Sequence, residues 1–218
     1  MSLTERRLTF DAFLASCPDD RLVEWVDGEA IAHVPPTERH QDVAGFLATL
    51  VRQFVEWSLG GRVLVAPFLM RLRPDGPGRE PDIFFVAPNH LSRLLPDRLD
   101  GPADLVVEIV SPDSVARDRA DKFYEYQEGG VREYWVVDPR PGCQRADFWL
   151  LDADGTYQPV PPDPSGVYRS TVLPGFWLRP AWLRAAPLPN VLPTFAEIVE
   201  LPPAVRAALA PQRQPAEH

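Results

Sequence analysis

The chain has 218 residues, enough for one sizeable hydrophobic core, and its 45% hydrophobic and 24% charged residues are ordinary for a globular protein. No stretch approaches the roughly 18 consecutive apolar residues of a membrane span. The net charge of −9 argues against a protein that coats nucleic acid nonspecifically, because phosphate-backbone binding relies on Lys and Arg.

The N-terminal MSLTERRLTF lacks the long apolar core of a secretion signal. Cys17 and Cys143 lack zinc-type spacing, so a reduced, cytoplasmic protein is expected. Residues 9–16 (TFDAFLAS) read as a short helix, with Thr9 as its cap and Phe10, Phe13 and Leu14 on one face. LVEWVDGEAIAHV then reads as two short strands joined at Asp27-Gly28, a strong hairpin signal. Pro35-Pro36 closes that unit, and Thr37 can cap a helix over 37–59. There Val43, Phe46, Leu47, Leu50, Val51, Phe54, Val55 and Leu59 recur at helical spacing, and Gly60-Gly61 ends the run.

Three strands are expected next: 62–72 (RVLVAPFLMRL), 81–86 (PDIFFV) and 103–110 (ADLVVEIV). The last is nearly continuously apolar, as a strand buried on both faces should be. An amphipathic helix over 114–128 ends at Gly129-Gly130, and EYWVVD (133–138) is another buried strand. Strand, helix and strand over 103–138 predict a right-handed parallel crossover. ADFWLLDADGTYQPV reads as a hairpin about Ala153-Asp154-Gly155. Many of the 26 prolines fall late in the chain. They divide it into a domain over 1–186 and a Pro-rich, loosely ordered segment over 187–218, with a short helix near 194–209.

Two acidic residues stand where charge is costly. Asp82 follows Pro81 at a strand start, and Glu108 interrupts the apolar run LVVEIV. A buried carboxylate must be neutralised, paired or bound to a metal. On neighbouring strands, two carboxylates about 4 Å apart would repel by about 4 kcal/mol at an effective dielectric of 20. A hard divalent cation with oxygen ligands reverses that sign, which is the physical case for Mg²⁺ or Mn²⁺. Seen singly, Glu108 could equally pair with a base and Asp82 could cap a turn. The next helix places Asp118, Lys122 and Glu125 on one face, with Phe123 and Tyr126 packing from the other side. From there the Lys122 ammonium could reach back to the carboxylates and orient water or stabilise phosphoryl charge. The bland alternative is an Asp118–Lys122 surface pair.

The segments LVEWVDGEAIAHVPPTERHQ, EPDIFFV, ADLVVEIVSPDSVARDRADKFYEYQEGGVREYWVVDP and LPGFWL, in that order and spacing, resemble the Uma-type nuclease family of the restriction-endonuclease-like PD-(D/E)XK superfamily. The likeness covers roughly residues 8–180. It implies an α/β fold with a central mixed β-sheet flanked by helices and a metal site at one sheet edge. Asp82 matches the Asp of the first half-motif and Glu108 the acidic residue of the second. Val110 stands where the usual strand lysine would be, and Lys122 occupies the place of a helix lysine. Glu24 matches an acidic residue near the site, and His40 and Gln41 match an H-Q pair at the start of the long helix.

The resulting expectation is a Mg²⁺- or Mn²⁺-dependent DNA endonuclease. Asp82, Glu108 and the Ile109 carbonyl hold the cation, and Lys122 and Glu24 complete the catalytic group. Homodimerisation is expected by analogy with nucleases that pair to cut two strands. The accessory residues keep two readings each. Glu24, alternating with Val23 and Trp25, faces either solvent or the site, and His40 either packs or functions. Arg117 and Arg119 are either solvated or touch phosphates. Asp104 caps a turn, Tyr134 and Trp135 belong to the core, and Cys143 has no chemical role. Against the enzyme stands a non-catalytic nucleic-acid-binding or protein-interaction module that keeps the fold, favoured by the net charge and by Val110. A metal-dependent hydrolase of another substrate is a third reading.

Overall fold

Strand alternation decides how the molecule is layered. The computed structural model describes residues 7–16, 23–32, 36–111 and 120–209. Its elements in chain order are α1 (Phe10–Ser16), β1 (Val23–Val26), β2 (Glu29–Ala32), α2 (Glu38–Phe54), β3 (Arg62–Val65), β4 (Leu69–Arg71), β5 (Gly78–Arg79), β6 (Ile83–Val86) and β7 (Arg98–Asp100). Then come β8 (Leu105–Ile109), α3 (Lys122–Gly129), β9 (Glu133–Asp138), β10 (Arg145–Leu151), β11 (Tyr157–Pro159), β12 (Tyr168–Arg169), β13 (Trp177–Leu178), α4 (Val191–Ile198) and α5 (Pro203–Ala208).

A six-stranded mixed sheet in the order β11-β10-β9-β8-β6-β3 forms the centre, with β8 and β9 parallel and the other pairs antiparallel. Odd positions of β6 and β8 (Ile83, Phe85, Leu105, Val107, Ile109) point to one face, where Val43, Phe46, Leu47, Leu50 and Val51 of α2 cover them. Each of these large side chains contributes roughly 1.5–3 kcal/mol through burial. Even positions (Phe84, Val86, Val106, Val110) face a second core containing Tyr126 of α3 with Met70 and Leu99 of the smaller sheet. That sheet has the order β2-β1-β5-β4-β7. The expected α/β fold, a mixed sheet flanked by helices, is therefore present.

Several elements follow the sequence reading closely. Thr9 Oγ1 accepts the Ala12 N–H at the start of α1, and the Thr37 side chain accepts the His40 N–H at the start of α2. After α2 the chain makes a π-helical turn over Val55–Leu59 and leaves at Gly60. Gly61 has φ +92° and its missing Cβ would lie 2.5 Å from the Val86 carbonyl oxygen, so a side chain would collide with the sheet. The β1–β2 hairpin turns at Asp27 and Gly28, both at positive φ.

The single strand expected over 62–72 is two strands in two sheets. Pro67 separates β3 from β4; it has no N–H to give to a ladder, so pairing stops and the chain crosses between sheets. The helix expected over 114–128 is seen from a π-turn at 120–121 into α3, and residues 114–119 lie outside the described residues. In the Pro-rich segment, α4 packs against α2, and Phe195 and Ile198 join the main core. Among the described residues no helix is long and apolar enough to cross a membrane.

Candidate functional site

β6 and β8 run antiparallel with Ile83 opposite Val107, so the register carries Asp82 to the position opposite Glu108. Both lie at the same end of two inner strands. Asp82 Oδ2 accepts a 2.7 Å hydrogen bond from the backbone N–H of Ile109, while the Asp82 carbonyl accepts from Ala66 N–H at 3.2 Å. The two half-motifs are thus joined directly, through the residue that follows Glu108. Asp82 also meets the long helix, with its Oδ1 3.4 Å from His40 Nε2. It opens on a cleft of about 490 Å³ lined by His40, Gln41, Arg52 and Gln53 among others.

Glu108 is buried, standing between Val106 and Val110 on the strand face that looks towards α3. Its Oε1 accepts from the Lys122 ammonium at 2.9 Å and from the Tyr126 hydroxyl at 2.6 Å. Lys122 Nζ lies 3.2 Å from Glu24 Oε1, so one ammonium is shared by carboxylates from the two sheets. Arg79 lies beyond it, donating from Nη1 to Glu24 Oε2 at 2.8 Å and through Nε and Nη2 to both Glu125 oxygens at 2.7 Å. Lys122, Glu125 and Tyr126 stand at i, i+3 and i+4, so a single stripe of α3 serves the whole cluster.

Burial disfavours the Arg79 cation, but Glu125 and Glu24 more than offset it, and its pKa lies above the ordinary arginine value. Burial also raises the Tyr126 hydroxyl well above its usual pKa, and the nearby Glu108 charge adds to this, so Tyr126 stays a donor. Glu80 completes the cluster: its Oε2 accepts the Val23 N–H at 2.9 Å, and its own N–H donates to Glu24 Oε1 at 3.3 Å. Burial pushes the Glu80 carboxyl up to about 7; the Val23 bond lowers it, the Glu24 charge raises it, and Lys122 lowers it.

Lys122 thus contacts both Glu108 and Glu24, while Asp82 reaches them only through the backbone N–H of Ile109 beside Glu108; of the two readings of Glu24 the solvent-facing one is excluded by its complete burial. His40 joins them through Asp82, and Gln41 lines the cleft. Val110 is buried in the second core. Asp104 caps the turn after β6 by accepting the Ala87 N–H at 2.8 Å and also holds His90 Nδ1 at 2.9 Å. Tyr134 and Trp135 are core residues, and Cys143 is exposed. Arg117, Asp118 and Arg119 lie outside the described residues. Tyr126 corrects the sequence reading, which put it with Phe123 on the far side of the helix. Phe123 does pack away, against Trp149 and Tyr157, but Tyr126 is one turn from Lys122 and shares its stripe. Sequence reasoning also left out Arg79 and Glu80. The signal was present in GREPD, a charged pair directly before the Pro-Asp half-motif.

Among the described residues no group of three or more His, Cys, Asp or Glu side chains is gathered as a metal cage. Mg²⁺ does not call for one, because it retains several waters and is commonly held by one or two carboxylates. Asp82 and Glu108 lie opposite in backbone register at adjacent strand ends, and their carboxylates are hard oxygen donors of the type such an ion takes.

Residues 10–181 match the family model Uma2, described as "Putative restriction endonuclease". A crystal structure of "a putative nuclease" from Anabaena variabilis ATCC 29413 matches with a TM-score of 0.65 at 16% identity, over 81% of this chain and 97% of that one. At that identity the likeness is one of fold. No curated protein matches the chain.

Proposed function

The chain belongs to the Uma2 family, and we propose that it is a divalent-metal-dependent endonuclease that hydrolyses phosphodiester bonds of DNA. The observation that carries this reading is the join between the half-motifs. Asp82 is hydrogen-bonded to Ile109, and the neighbouring Glu108 holds the Lys122 ammonium at 2.9 Å. The sequence adds weight: among 22 basic residues Lys122 is the one lysine, so the compact ammonium stands where two buried carboxylates converge.

Hydrolysis adds water across a P–O bond: the water oxygen bonds to phosphorus, an alkoxide leaves, and one water proton must be taken up. Asp82 and Glu108, with the Ile109 carbonyl, would hold Mg²⁺ or Mn²⁺, which when bound acidifies water and offsets phosphate charge. Lys122 supplies N–H donors and positive charge to orient the attacking water or to steady the phosphoryl oxygens. Glu24 anchors that ammonium from the other side, and Tyr126 fixes the Glu108 carboxylate. Asp82 is the ligand facing the cleft, so the scissile phosphate approaches past His40 and Gln41. A cytoplasmic setting, and two copies pairing to cut both strands, extend the same reading.

The test is cleavage of plasmid and single-stranded DNA with Mg²⁺ or Mn²⁺ by wild type, Asp82→Ala and Glu108→Ala. Cleavage by wild type alone supports the reading, and equal behaviour of all three proteins overturns it. A second reading, a non-catalytic module, is favoured by Val110 at the strand-lysine position and by the net charge of −9. DNA binding that is indifferent to metal, with no cleavage, would establish the module instead.

A further inference from the structure

We propose that Arg79 is a positioning residue for Lys122, acting through both of its carboxylate partners; the proposal rests on Lys122 serving the reaction. Arg79 comes from the short strand β5 of the smaller sheet, and its side chain is 2% exposed. Its guanidinium divides its donors between two elements. One N–H holds Glu24 on β1, and two parallel N–H groups grip Glu125 on α3 at 2.7 Å. Such a bidentate grip sets direction as well as distance, which a single ammonium cannot do.

Both grips bear on Lys122. Binding Glu24 through Oε2 turns that carboxylate so that Oε1 faces the Lys122 ammonium at 3.2 Å. Holding Glu125, one turn beyond Lys122, fixes the rotation of α3 about its axis and so the direction from which Lys122 reaches Glu108. Arg79 touches neither Glu108 nor Asp82 in the hydrogen bonds and ion pairs described. Its influence on the site passes through the two carboxylates it holds.

The single lysine makes the idea directly measurable. Protein grown with ¹⁵N-lysine gives one side-chain ammonium signal in an NMR spectrum, and a buried, ion-paired ammonium exchanges slowly enough to be seen. Arg79→Lys keeps the charge and removes the fork. Glu125→Gln breaks the outer half of the fork at a partly exposed position, and so provides a milder variant that tests the same link. In both, the Lys122 signal is expected to shift and broaden, and kcat for plasmid cleavage to fall about tenfold or more while KM is held. An unchanged Lys122 signal in both variants, or no slowly exchanging signal in wild type, overturns the proposal whatever happens to the unfolding temperature. A wild type that cleaves nothing while its signal responds to both variants removes the reaction and leaves the positioning intact.

Discussion

Lys122 Nζ lies 2.9 Å from Glu108 Oε1, and both side chains are buried. The pair joins α3 to the end of β8 at the one place where the central strand carries a charge. Removing the cation leaves Glu108 and Glu24 as neighbouring buried carboxylates. Lys122→Met is therefore expected to lose about 3–5 kcal/mol of stability, measured by urea unfolding. Its cleavage rate should fall by about 10²–10³ under conditions where it remains folded. A variant that stays as stable as wild type would show that the pair is not a buried one in solution.

Tyr126 offers a cleaner substitution. Tyr126→Phe keeps the ring in its packing against Tyr134 and deletes only the hydroxyl that donates to Glu108 at 2.6 Å. The expected loss is about 1–3 kcal/mol in stability, with weaker Mn²⁺ binding because the carboxylate is less firmly oriented. Isothermal titration of both proteins with Mn²⁺ reads the second effect, and identical binding isotherms would remove Tyr126 from the site.

Glu80 makes the stability of the protein depend on pH in a definite sense. Its carboxyl is raised to about 7 in the folded chain, chiefly by burial, from an ordinary value of 4.5. The folded state thus binds the proton more tightly than the unfolded one, so this group's contribution is full below about pH 4.5 and is lost as pH rises through 7. The loss amounts to about 3 kcal/mol. Glu80→Gln keeps an acceptor for the Val23 N–H and cannot ionise. In metal-free buffer it should gain on wild type between pH 5 and pH 8, on the order of that amount. A stability difference that does not vary with pH would contradict the assignment.

Glu133 provides the contrast. It begins β9 opposite Leu105 of β8 and is fully buried, yet its partners are all hydrogen-bond donors rather than cations. Trp135 Nε1 and the Tyr168 hydroxyl serve one oxygen, while Ser170, Thr171 and Val172 serve the other. Glu133→Gln turns an amide NH₂ towards donors and is expected to cost about 3 kcal/mol, with Mn²⁺ binding unchanged. A change in metal binding would mean that the two buried carboxylate sets communicate.

The parts of the fold legible in the sequence are those whose cause is local. Thr37 opens α2 and Gly60 ends the π-helical turn that continues it because caps act on the nearest backbone groups, and Asp27-Gly28 sets a hairpin because both residues accept positive φ. β8 and β9 read as buried strands from their own apolar runs, and Glu108 was conspicuous because it broke one. The smaller sheet was hidden. β5 has two residues, and its pairing with β1 depends on chain brought together over more than fifty positions. For the same reason Arg79 and Glu80 went unassigned: their partners Glu24, Val23 and Glu125 are 46 to 57 residues away. The break at Pro67 could have been read from the missing N–H, but the apolar character on both sides of it concealed the change of sheet.

The account depends on Asp82 and Glu108 sharing one cation. A crystal soaked in Mn²⁺ and measured for anomalous scattering answers this directly. The expected result is a single manganese peak within bonding distance of oxygens from both residues, absent from crystals of Asp82→Ala. A peak touching one carboxylate alone, or no peak between the two strand ends at millimolar Mn²⁺, would contradict it.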